Sequence, residues 1–190
     1  MALSKHAGTP TGRVAFRTGD ATRPEGPGPK IIAHVCNDAG KWGAGFVVAV
    51  SRRWKSPEQE YRRAFTAPRA LALGDVQFVA VEDGLTVANM IAQHGLRRTG
   101  SAPPIRYEAL RATLAEVARF ASENGASVHM PRIGTGLAGG NWDVVSAIVE
   151  ETLCERGVPV VVYDLPGSRR PRPPRPGVRR GRDDRASRVA

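Results

Sequence analysis

The spacing of apolar positions changes repeatedly along the chain, and each change marks an element. Residues 13–18 alternate, with Val14 and Phe16 on one side, and read as a half-buried strand ending at Gly19-Asp20. After a loop rich in Pro and Gly, Ile31, Ile32, Ala33, His34, Val35 and Cys36 form a nearly continuous, partly β-branched run. A strand covered on both faces has that pattern, so this run is the candidate for a central strand. Beyond Gly45, the apolar Phe46, Val47, Ala49 and Val50 beside Arg52 and Arg53 predict a short helix, and Pro57 opens another with Glu58 and Glu60 in its first turn. Residues 77–82 and 86–93 flank Asp83-Gly84, a two-residue hairpin signal.

Further on, Tyr107, Leu110, Leu114, Val117 and Ala121 recur at steps of three and four, giving a helix with one apolar stripe that stops at Asn124-Gly125. Residues 127–130 predict another strand. Asn141 is placed to cap a helix whose buried stripe is Val145, Ile148, Val149, Thr152 and Leu153, and residues 158–165 read as the last strand. Helices and strands interleave, and the hairpin supplies an antiparallel pair. The expectation is an α/β fold, a three-layer α/β/α sandwich with a central mixed β-sheet. No internal repeat is visible.

A length of 190 residues suits one domain with appendages. Hydrophobic residues make up 41% of the chain but never run to the ~18 needed to span a bilayer, so no membrane partner is expected. The formal charge of +10 sits mostly at one end. Residues 167–190 hold nine arginines against Asp183 and Asp184, a net +7 that leaves +3 elsewhere. With Pro171, Pro173, Pro174 and Pro176 and almost nothing apolar, this stretch reads as a disordered tail offering weak, nonspecific contact to polyanions. Residues 1–12 form a flexible start and 13–166 the folded domain. The start lacks the apolar stretch of a secretory signal, which points to the cytoplasm. Arginine outnumbers lysine 24 to 4, a bias that fits a GC-rich bacterial genome. Cys36 and Cys154 lack the spacing of a zinc site or a redox pair and read as buried, reduced thiols.

In open α/β sheets ligands bind beyond the carboxyl ends of the strands. After the strand at 31–36 comes Asn37-Asp38-Ala39-Gly40-Lys41-Trp42-Gly43-Ala44-Gly45-Phe46, small residues leading into a helix. After the strand at 127–130 comes Pro131-Arg132-Ile133-Gly134-Thr135-Gly136-Leu137, whose glycines permit positive φ and close approach of the backbone to an anion. Two amide-rich loops, each following a buried strand, can grip a diphosphate.

These two loops, the turn Gly19-Asp20-Ala21-Thr22 and the stretch from Met130 through Trp142 resemble macrodomains, nearest to the terminal ADP-ribose protein glycohydrolase branch, over residues 13–165. The resemblance implies ADP-ribose and mono-ADP-ribosylated proteins as partners, with neither a cofactor nor a metal. It implies that Asp20, beside Ala21, takes the adenine amine, that Tyr163 lies against the adenine ring, and that Asn37 meets the distal ribose with Asp38 beside it. It further implies that Gly43, Ala44 and Gly45 bind one phosphate, while Gly134, Thr135 and Gly136 wrap the other phosphate and the distal ribose. Trp42, Phe46, Arg132, Ile133 and Leu137 complete the expected ligand contacts. That branch uses a lysine before the long helix and an aspartate after the second glycine loop. The corresponding positions here are Gln93 and Ala138. An amide cannot act as an amine nucleophile, so hydrolysis would use a positioned water, with Asn37 and Gln93 as the candidate catalytic residues.

The expected activity is removal of ADP-ribose from Glu or Asp esters or from O-acyl-ADP-ribose; the alternatives are a reader that binds without cleaving, and a phosphatase acting on ADP-ribose 1''-phosphate. Plainer roles stand beside the site residues. Asp20 suits a strand-end turn, Asn37 and Asp38 suit side chains that bond their own loop, and Trp42 either rims the pocket or anchors its loop. Trp142 reads as packing at the start of its helix. His34 and His129 read as satisfied core histidines, and His94 lines the site or only adjoins it.

Overall fold

The computed structural model describes residues 13–167. The tail expected over 167–190, apart from Gly167, and the start at 1–12 lie outside the described residues. Six strands form one mixed sheet: β1 (Ala15–Thr18), β2 (Lys30–Asn37), β3 (Val76–Glu82), β4 (Leu85–Gln93), β5 (Ser127–Pro131) and β6 (Val160–Asp164). Their spatial order is β1-β6-β5-β2-β4-β3, with every neighbouring pair parallel except β3 and β4.

Helices α1 (Phe46–Arg53) and α2 (Ser56–Ala64) cover one face, and α3 (Tyr107–Asn124) and α4 (Trp142–Thr152) cover the other. The central strands show why both layers are needed. In β2, Ile32 and Cys36 face the α1/α2 side while Ile31 and Ala33 face α3 and α4; in β4, Val87 and Ile91 face the first side and Ala88, Met90 and Ala92 the second. Period-two alternation of apolar residues on both faces is the signature of a strand buried between layers.

The local signals explain the element ends. Asp83-Gly84 forms the β3–β4 turn with Gly84 at φ 66°. Gly125 ends α3 in the left-handed region, φ 59°, where a β-carbon would be strained. Asn141 Oδ1 accepts the Asp143 amide at 2.8 Å, capping α4. The stripes expected on α3 and α4 are buried, except that Tyr107 at the start of α3 is half-buried.

The edges depart from expectation. Residues 13–18 were expected to turn Val14 and Phe16 inward, yet β1 begins at Ala15 and Phe16 is 52% exposed. The strand lies at the sheet edge, where Phe16 is met by Trp142 and the Arg132 guanidinium instead of a full helical layer. The last strand begins at Val160 because a short 3-10 turn, Cys154–Arg156, precedes it and Pro159, which has no N–H, takes part through its carbonyl bonded by the Val128 amide. Among the described residues no helix is long and apolar enough to cross a membrane.

Candidate ligand-binding site

Five parallel strands bring their carboxyl ends to one side of the molecule. The chain leaves β2 toward α1 on one face and leaves β5 toward α4 on the other, so the crevice between these neighbours is the point where connections diverge. Their pairing is confined to Lys30–Ser127, Ile31–Val128 and Ile32–His129. Past Ile32 the two strands part, and a cavity of about 660 Å³ opens with His34, Val35 and Cys36 among its lining residues. That volume suits a nucleotide-sized ligand.

The first loop is organised by Asn37. Its Oδ1 accepts the Ala39 and Lys41 amides at 3.0 and 3.1 Å, and its Nδ2 donates to the Lys41 carbonyl at 2.6 Å. From α2, Tyr61 donates its hydroxyl to the Asn37 carbonyl at 2.7 Å and Arg62 donates to the Trp42 carbonyl at 2.8 Å. The chain then enters α1 through Gly45 at φ 79°, ψ −150°, a conformation open essentially to glycine, and no side chain caps the helix. Uncapped amides at a helix start attract anions.

The second loop folds back on itself. Thr135 Oγ1 donates to the Arg132 carbonyl at 2.9 Å, and the Gly140 amide donates to the Gly134 carbonyl at 2.8 Å. A β-carbon on Gly140 would stand 2.6 Å from that carbonyl oxygen, so only glycine fits. Arg132 is held flat, its Nε and Nη2 donating to the two Asp164 carboxylate oxygens at 2.6 and 2.8 Å and its guanidinium lying over Phe16 and Trp142.

The cavity wall takes in Asn37, Trp42, Gly43, Ala44, Gly45, Phe46, Gln93, Arg132, Ile133, Gly134, Gly136 and Leu137, twelve of the residues singled out in the sequence, together with Ala138. Asp20, Ala21, Asp38, Thr135 and Tyr163 stand outside it. Asp20 Oδ1 accepts the amide and hydroxyl of Thr22, the turn role weighed above. Tyr163, expected against adenine, is a core residue 5% exposed, its hydroxyl bonded by the Glu25 amide and paired with His129 Nδ1. Phe46, which lines the cavity, packs against the small cluster of Ala21, Val161 and Tyr163. Asp38 points to His94 Nδ1 at 2.6 Å and the Gly95 amide at 2.7 Å. Burial opposes ionisation of Asp38, but the Gly95 amide and His94 together hold its carboxyl below the usual range.

The lining also holds residues that periodicity and motif did not single out: Lys41, Arg62 and Leu96. Lys41 lay inside the quoted loop, whereas Arg62, four residues after Glu58, carried only the signal of a helix-surface ion pair. With Arg132, the cavity wall carries three cations and no carboxylate; Arg132 and Arg62 are each paired with a carboxylate just outside it, Asp164 and Glu58, so they offer donors more than net charge. The floor is uncharged: burial, against an Asn89 hydrogen bond, takes His34 down to about 4, and burial pushes the Cys36 thiol up. A protonated thiol in that setting is not a nucleophile. Gln93 Nε2 donates to the Gly95 carbonyl at 2.9 Å, which orients its amide at the carboxyl end of β4. Among the described residues no group of His, Cys, Asp or Glu side chains is placed to hold a metal ion.

No family model matches the chain. A solved macrodomain protein from Streptomyces coelicolor is 51% identical, with 80% of this chain and 99% of that one covered and a TM-score of 0.72. The chromodomain-helicase-DNA-binding protein 1-like of Mus musculus is 32% identical over 165 residues, 82% of this chain, and the chain spans only 18% of that protein's length. The ADP-ribose glycohydrolase OARD1 of Bos taurus is 26% identical over 166 residues, 87% of this chain and all of that protein.

Proposed function

Because this chain belongs to the macrodomain family, we propose that it binds ADP-ribose between the two glycine loops and hydrolyses it from carboxylate esters on proteins or from O-acyl-ADP-ribose. The observation that carries the reading is the cavity itself: amide-rich loops on both sides, an uncapped helix start, three cations and no carboxylate. A diphosphate needs donors and positive field without competing anions. Likeness to an ADP-ribose glycohydrolase along that relative's whole length supports cleavage over binding alone.

In this reading the diphosphate lies across Gly43 to Gly45 and Gly134 to Gly136, and the distal ribose lies toward Asn37 and Gln93. Asn37 acts by shaping the loop, since its amide is engaged with Ala39 and Lys41. Gln93 orders a water for attack, aided by proximity to an ester that is labile in itself. Adenine lies toward the carboxyl ends of β1 and β6, where Phe46 packs on the cluster of Tyr163 and of Ala21, the neighbour of Asp20.

The second reading, a module that holds ADP-ribose without cleaving it, is favoured by Gln93 and Ala138, neither of which carries proton or nucleophile chemistry. Incubation with a protein mono-ADP-ribosylated on glutamate separates the two. Release of label above a heat-inactivated control supports the hydrolase. No release at enzyme equimolar with substrate, together with saturable ADP-ribose binding, leaves the reader.

A further inference from the structure

Helix α2 packs against β3 and β4, at the far side of the sheet from β1 and β6. It nevertheless reaches the cavity through one side chain, Arg62. That side chain belongs to a closed ring of hydrogen bonds. Trp42 Nε1 donates to Ser51 Oγ at 2.7 Å, Ser51 Oγ donates to Glu58 Oε2 at 2.7 Å, Arg62 Nε donates to Glu58 Oε1 at 3.0 Å, and Arg62 Nη2 donates to the Trp42 carbonyl at 2.8 Å. The ring crosses α1, α2 and the first loop, so it fixes the guanidinium as well as Trp42. The Ser51 hydroxyl, with Arg62, holds the Glu58 carboxyl below its usual range, so the ring stays ionised at neutral pH.

The ring engages Nε and Nη2 and leaves the Nη1 edge of Arg62 without a partner among the described residues. Lys41, whose neighbour Trp42 accepts the Arg62 bond through its carbonyl, also lines the cavity. Tyr61, next to Arg62, bonds the Asn37 carbonyl, and Asn37 pairs in register with Gln93. This is the end assigned above to the distal ribose, opposite the Arg132–Asp164 pair at β6. We propose that Arg62 is a specificity-determining residue that binds an oxyanion at the distal ribose: a phosphate while it is attached, or the carboxylate that ester hydrolysis releases. The proposal rests on the ADP-ribose reading of the cavity and adds the chemistry of the group next to it. With Nε and Nη2 committed to the carboxylate and the carbonyl, the two Nη1 hydrogens remain to donate to an oxyanion. Helix α2 thus supplies charge where the loops supply amides.

Calorimetric titration of ADP-ribose and ADP-ribose 1''-phosphate, with phosphate release followed in the same samples, tests the assignment. The wild-type chain should bind the 1''-phosphate at least about tenfold more tightly than ADP-ribose, about 1.4 kcal/mol. Arg62→Met should lose that preference, so that its affinity for the phosphorylated ligand falls by about tenfold more than its affinity for ADP-ribose. Arg62→Lys should keep a part of it. Equal losses for both ligands in Arg62→Met would mean that Arg62 only braces Trp42, and affinities for both ligands unchanged in that variant would assign the preference to Lys41; either overturns the proposal. Equal affinities in the wild type would also overturn it while leaving the ADP-ribose reading intact. A folded wild-type chain that binds neither ligand would remove both.

Discussion

Gly134 and Gly136 stand two residues apart in the second loop and are glycine for different reasons. Gly134 has φ +71°, and a β-carbon there would stand 3.1 Å from Ile105 Cδ1. Gly136 is not among the positive-φ glycines, and a β-carbon there would meet nothing within 4 Å. Of these two glycines, then, only Gly134 uses the positive φ expected of the loop, and only there would a side chain be strained. Gly134→Val should lower stability by about 1–3 kcal/mol, read as a depressed melting temperature. Gly136→Val should melt like the wild type and yet lose at least about tenfold in ADP-ribose affinity, about 1.4 kcal/mol, because its side chain enters the cavity. Wild-type affinity in a folded Gly136→Val chain would place the diphosphate elsewhere. Gln93→Ala bears on the reaction itself. With both loops intact it should reduce the rate of ester cleavage more than it reduces ADP-ribose affinity, and a rate left unchanged would take Gln93 out of the chemistry.

At the scale of elements, most of the framework was legible because each piece carried its own signal: the two-faced apolar run of β2, the Asp83-Gly84 turn, the αL glycine after α3 and the Asn141 cap. The two loops were legible as glycine turns at the ends of β2 and β5 for the same reason. What could not be read depended on distant parts of the chain. The exposure of Phe16 follows from β1 being an edge strand, and strand order is set by tertiary pairing. The part played by α2 follows from a ring that joins residues 42, 51, 58 and 62, whose spacing along the chain carries no motif. Tyr163 was assigned by resemblance, and its bonds to His129 and the Glu25 amide join residues 34 and 138 positions apart, which no local pattern announces. Asn141 is a local case with a local test: Asn141→Ala should cost about 1 kcal/mol by leaving the Asp143 amide without its cap, measurable by chemical denaturation.

The buried histidines give β2 and β5 a pH dependence. His34 on β2 is bonded to Asn89, whose amide reaches the Pro57 carbonyl and Gln77 Oε1, tying the cavity floor to α2. His129 on β5 sits against Ser127 and Tyr163. Burial takes both down to about 4 from an ordinary 6.5. A depressed folded-state value means that the unfolded chain binds protons first as pH falls. The stabilisation is therefore complete above about 6.5 and is lost toward about 4, at most roughly 3 kcal/mol for each histidine. Melting temperature should fall steadily between pH 7 and pH 5. A constant melting temperature across that interval would mean that the two imidazoles are not held neutral by burial.

At the scale of the whole molecule, site and charge come from different parts of the chain. The cavity sits where β2 and β5 part and the connections diverge, and it takes its donors from the two loops that follow those strands. Most of the net charge lies in residues 167–190. If those residues only attract polyanions, deleting them should abolish salt-sensitive binding to nucleic acid and leave ADP-ribose affinity unchanged. DNA retention by the truncated chain at physiological salt would instead place a basic surface on the folded domain. The central claim, that the cavity between the loops is an ADP-ribose site, is tested most directly by calorimetric titration of ADP-ribose into the full chain. The account predicts saturation at one ligand per chain, and a folded chain that takes up no ADP-ribose would contradict it.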